Sequence, residues 1–237
     1  MTRYLLLEVR RTLRNPAFLL YTIGFPVAFY LLFTTVFGGN DHTWAAQYMV
    51  SMALYGAMGA GLTGIGARIA LERTSGWTRA LALTPLRPFG YLAIKLGAGM
   101  IVTVPVIVLV MAFGAIVNGV RLPVTTWLLL VPLLWVGTLP FTALGIAIGY
   151  TLRDEVAFGV AMVALFVFSI GGGLWLPVQA FPHWLADVAY AMPSFRAGEL
   201  AWRVLDGHQP FGTGSLVFAA WLVGLLGLAG WRFRRAA

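Results

Sequence analysis

From Pro16 to Phe37 the chain carries no charged residue, and five more stretches of the same character follow, at 44–67, 92–117, 124–150, 156–174 and 213–231, with Lys95 the one charge inside them. About 20 residues at 1.5 Å each cross the roughly 30 Å of hydrocarbon in a bilayer. Inside lipid the backbone must satisfy its own polar groups, which leaves helices or a closed barrel, and runs this long and continuous are helical. Hydrophobic residues make up 60% of the chain and charged ones 10%, with mean hydropathy +0.86. A soluble domain has about a quarter of its residues charged. The expected fold is therefore all-α: a polytopic membrane protein of six transmembrane helices, forming one domain over 1–237.

The basic residues orient those spans. When both termini are cytoplasmic, all of the sixteen Lys and Arg residues except Arg121, Arg196 and Arg203 lie on the inner side. Short basic loops stay inside, so the expected location is multi-pass in the cell inner (plasma) membrane. Residues 1–15 read as an amphipathic interfacial helix, with Leu6, Val9 and Leu13 on one face and Arg3, Arg10 and Arg14 on another, suited to membrane lipid. The formal charge of +8 does not indicate nucleic acid, because the bases sit at the ends of apolar runs and form no stripe with interleaved aromatics. With no cysteine, the chain has no disulfide framework and no thiol chemistry.

Within the spans, Pro26, Pro105, Pro132 and Pro140 are expected to bend their helices. The second span has small residues at intervals of four, Ala53, Ala57 and Gly61 beside Gly56, Ala60 and Gly64, which predicts close packing between other helices. Gln47, Ser51 and Tyr55 share its polar stripe, which suits either a pathway lining or bonds to neighbouring helices. If spans two and five line a path, its candidate residues are Ser51, Met52, Tyr55, Met58, Phe166 and Phe168, since Met and aromatic side chains adapt to varied apolar ligands. Helix packing accounts for the same residues. Lys95 is expected to snorkel to the inner surface. Gly171, Gly172 and Gly173 leave the end of the fifth span weak. Pro177, Pro182 and Pro193 divide 175–212 into short re-entrant helices at the outer face, with Trp175, Trp184, Tyr190 and Trp202 as interfacial aromatics.

Several chemistries are missing. There is no G-x-x-x-x-G-K-[ST]; the lone lysine, Lys95, is followed by Leu96. No ionisable residue sits in mid-membrane to couple ion flow. HExxH, GxSxG and clustered histidines are also lacking; Arg153, Asp154 and Glu155 read as a solvated inner turn and His42 as a solvated loop residue. The expectation is no enzyme, no metal and no cofactor in this chain, with energy supplied from outside or not needed. The inner loop 68–91 has the means to receive it. Trp77, Leu81 and Leu83 or Thr84 have helical spacing closed by Pro85 and Pro88, and so short a helix needs a surface to dock on.

That loop follows the form E-R-x-x-G-x-x-x-x-L-x-x-T-P at Glu72, Arg73, Gly76, Leu81, Thr84 and Pro85. After the fifth span, Gly171 to Gly173, Pro177, Pro182 with Trp184 and Leu185, and Pro193 form a second pattern. In both, over nearly its full length, the chain resembles the permease subunits of type 2 ATP-binding-cassette exporters. The resemblance implies a coupling helix seated on a separate P-loop ATPase, with Glu72, Arg73, Gly76, Trp77, Arg79, Leu81, Thr84 and Pro85 as coupling residues. It also implies two permease copies, as a homodimer or heterodimer, and two ATPase copies that carry the ATP and Mg. Substrates of the family are drugs, lipids, lipid-linked glycans and peptides; the leading expectation here is a hydrophobic drug or natural product. A non-transporting membrane scaffold or sensor that recruits a cytoplasmic partner through the same loop is the alternative.

Overall fold

The computed structural model describes residue 7 and residues 9–12, 14–38, 41–75 and 88–236. All regular structure among them is helical, and five helices are long and apolar enough to cross a membrane. The first, α1 (Pro16–Phe37), opens with Pro16 just inside the helix, where its missing N–H is one no helix would use, and with the Asn15 side chain accepting from the Phe18 N–H at 3.3 Å. Pro26 cannot donate to the Thr22 carbonyl, and the turn before it, Leu20–Gly24, is π-wound. The freed carbonyl faces Gly56, where a Cβ would lie 2.6 Å from it.

The centre of the molecule is α2 (His42–Thr74), 33 residues long and capped by Asp41, whose carboxylate accepts from the Thr43 and Trp44 N–H groups. Its most apolar stretch is 94% buried, as the spacing of its small residues predicts. It touches α1, both α3 (Pro88–Val117) and α4 (Val124–Thr151), and α5 (Asp154–Gly171). Where α2 crosses α4 the backbones nearly meet: a Cβ at Gly66 would sit 2.8 Å from the Gly145 carbonyl, and one at Gly145 2.6 Å from that of Gly61.

Three expected boundaries move. The loop does not begin at 68, because α2 stays helical to Thr74, with Ile69 and Ala70 buried in the core and this stretch packed on the second half of α4. Pro88 opens α3, four residues ahead of the expected start. The fifth helix stops at Gly171, not 174, and its glycines form a defined cap. Gly173 takes φ +74°, its N–H donates to Ile170 O, and the Leu174 N–H donates to Ser169 O at 2.9 Å, the paired bonds of a Schellman turn. α4 is broken at Thr138, two residues before Pro140.

Beyond a short turn at Val178–Ala180 come α6 (His183–Ala191) and α7 (Pro193–Leu205). α7 is amphipathic and lays Ala197, Leu200 and Ala201 onto the first half of α4 and the start of α2. α8 (Gly214–Ala236) returns along the second half of α4, with Leu225, Ala229 and Phe233 packed among Ile146, Ala147 and Tyr150. Only 22% of its apolar window is buried, so most of its surface is left for lipid.

Candidate functional site

The end of the bundle that carries residues 75 and 88 holds a buried group of charges. Glu72, on the last turn of α2, is 8% exposed and turns toward α3. Its Oε1 accepts from Lys95 Nζ at 2.7 Å and its Oε2 from the Tyr91 hydroxyl at 2.6 Å, while Arg68 Nε lies 3.7 Å from Oε1. Lys95 is fully buried, so it does not snorkel. An ammonium with a carboxylate in reach can stay inside, whereas a lone one must find water. Arg68 also donates to Thr12 Oγ1 of the N-terminal segment. The next residue of α2, Arg73, donates to Gly149 O of α4 at 2.9 Å and lies over the Tyr150 ring.

The two coupling residues that fall in described structure, Glu72 and Arg73, therefore point into the bundle. Gly76, Trp77, Arg79, Leu81, Thr84 and Pro85 lie outside the described residues, as does the short loop helix. The partnership of Glu72 with α3 had a readable sign: Glu72 is the one acid between Arg68 and Lys95, and Tyr91 and Lys95 stand four apart, on one face of a helix. Beside this cluster a cleft of about 970 Å³ opens between the N-terminal segment, α1, α2 and α5, lined by Arg11, Phe18, Thr63, Arg68, Phe158 and Met162 among others.

At the opposite end a smaller cavity, about 230 Å³, lies between the start of α2, the 173–179 stretch and α7. Ser51 stands in its wall, accepting from Trp202 Nε1 at 3.2 Å and donating to Gln47 O at 3.0 Å; the Gln47 amide reaches Asp206 at 3.3 Å. Tyr55 and Phe166 meet edge-on at Trp175, with centroids 5.7 and 5.8 Å away, and Phe25 and Phe29 of α1 close the ring from the other side. Of the six path candidates, then, Ser51 lines the cavity, and Tyr55 and Phe166 stand behind its wall on Trp175. Phe168 packs instead on Phe141, while Met52 and Met58 are wholly buried in the core and line neither hollow.

Trp175 and Trp202 are half-buried and turn toward the bundle. The Gly173 turn swings Trp175 inward, and α7 is held down by Ser194 Oγ donating to Phe168 O, so that Trp202 faces Ser51; Trp184 and Tyr190 do lie exposed. Two buried donors in the cavity wall, the Tyr48 hydroxyl and Trp175 Nε1, have no hydrogen-bond partner among the described residues. Aromatic walls with unspent donors suit a compact apolar ligand that carries acceptors.

A bundle of helices, five of them long and apolar enough to cross a bilayer, defines a multi-pass membrane protein. Comparison with known proteins gives the family. Residues 38–231 match the family described as ABC-2 family transporter protein, and the chain belongs to it. It is similar to "Putative transport permease YvfS" of Bacillus subtilis (strain 168), at 33% identity over 221 residues that cover 91% of this chain and 89% of that protein. The chain is thus a membrane transport permease, and permeases of this family are the membrane components of transporters, typically paired with an ABC ATPase.

Proposed function

We propose that this chain is the membrane-spanning subunit of an ATP-driven exporter, supplying the substrate path and docking a separate P-loop ATPase through the 68–91 region. The observation that carries this reading is the continuity of α2. One 33-residue helix runs from the aromatic cavity to the stem of the loop, where it is tied to α3 and α4 by buried charges. Motion imposed on residues 76–87 would reach the cavity through a single element. In this reading the loop end faces the cytoplasm with both termini, the membrane is the cell inner membrane, and two permease copies join two ATPases that hold the ATP and Mg. The substrate is a hydrophobic drug or natural product, a lipid or a glycan; the aromatic lining of the cavity favours the first of these.

The test asks whether a neighbouring reading frame encodes a P-loop ATPase, then co-expresses that ATPase with this chain, purifies the complex and reconstitutes it into vesicles with a panel of apolar compounds. The expected result is a stable complex whose ATP hydrolysis drives movement of at least one compound class. Absence of ATPase binding, with correctly inserted permease, overturns the reading.

A further inference from the structure

The pattern E-R at the head of the loop invites the view that both residues touch the ATPase, but the side chains are engaged elsewhere. Both carboxylate oxygens of Glu72 are taken up by α3, one by Lys95 and one by Tyr91. Arg73 is spent on Gly149 and Tyr150. Deeper in the bundle α2 and α3 are held by apolar contact, close enough that a Cβ at Gly99 would come within 2.9 Å of Ile65. Towards the loop it is the charged group that joins the two helix ends.

We propose that Glu72 and Lys95 form an electrostatic latch between the two stems of the 76–87 segment, which makes α2 and α3 move as one when that segment moves. This rests on the reading of 76–87 as the contact with the ATPase, and it makes Glu72 a positioning residue, not a docking one. A charge pair suits the task better than a pair of leucines. Apolar side chains tolerate sliding, whereas drawing a buried ammonium away from a carboxylate 2.7 Å off is costly, so the pair holds the two stems in one register. The second hydrogen bond, from Tyr91, fixes the carboxylate plane, and Arg68 backs it from one turn below.

The natural absence of cysteine makes the test direct. Cysteines at Leu71 and Ala93, exposed positions on the two stems, are spin-labelled in the full chain, diluted with unlabelled chain and placed in lipid nanodiscs. Pulsed electron resonance is expected to give one narrow distance peak. The double variant Glu72→Gln with Lys95→Met removes both charges of the pair and is expected to keep its helix content and monodisperse elution, while the narrow peak is expected to be lost. A narrow peak in the double variant overturns the latch. A second arm uses the complex with the P-loop ATPase. The double variant is expected to bind the ATPase as the parent does while ATP-driven transport falls away from ATP hydrolysis. Loss of binding itself would make Glu72 a docking residue and also overturn the proposal. If the parent chain binds no P-loop ATPase, the exporter reading fails, and the distance measurement still decides the latch.

Discussion

Lys95 shows how much one neighbour decides. Alone at a helix start near the membrane surface it would reach for water; with Glu72 at 2.7 Å it is sealed inside. Replacing Lys95 by Met leaves the buried Glu72 carboxylate facing the more distant Arg68, at 3.7 Å, and should lower stability by up to about 3–5 kcal/mol, more than removing both charges together. Thermal unfolding of the detergent-solubilised chain measures the order, and a double variant less stable than Lys95→Met would contradict the pairing. The Tyr91→Phe change takes away one hydrogen bond and should cost about 1.5–3 kcal/mol, as for a bond to a charged acceptor. The sequence shows the face on which Tyr91 and Lys95 stand and the single acid available to them. What it lacks is the length of α2 beyond 67, and that extra turn and a half is what carries Glu72 to α3.

Among the elements, the crossing of α2 and α4 is the most constrained. Gly145→Ala would drive a methyl against the carbonyls of Gly61 and Leu62, 2.6 and 2.7 Å away, and should destabilise by about 1–3 kcal/mol despite alanine's better helix propensity. Gly224→Ala on α8 meets nothing within 4 Å and should be neutral or stabilising by up to about 1 kcal/mol. The two melting shifts are expected to have opposite signs, or the second to be zero. Intervals of four between small residues announce this packing for α2, and the long apolar runs announce the helices themselves. The fate of the outer segment is harder to read. Trp175 and Trp184 are both tryptophans flanked by prolines, and only the left-handed Gly173 turn, which depends on where α5 stops, sends the first inward and leaves the second exposed.

For the molecule as a whole the predictions concern its partner and its orientation. Leu81→Asp places a charge in what the proposed function takes as an apolar contact, and should release the ATPase while leaving the permease in the membrane fraction; unchanged co-purification would count against that contact. A cysteine at Arg79 should be labelled by an impermeant maleimide from the cytoplasmic side only. Polytopic architecture follows from the charge-free runs, and the family resemblance from the two patterns at 72–85 and 171–193. No run or pattern, by contrast, brings Tyr55, Phe166 and Trp175 together, because they come from three segments whose meeting depends on tertiary packing.

The close crossing with α4 divides α2 unequally. From the middle of the Gly61–Gly66 region it is about 16 Å along the axis to the last turn at Thr74, and about 32 Å back to His42. Were the helix to turn about that fulcrum as one body, it would act as a seesaw with a short handle and a long beam, and a modest nudge near Thr74 would sweep the Trp44 end through about twice the arc, in the opposite direction.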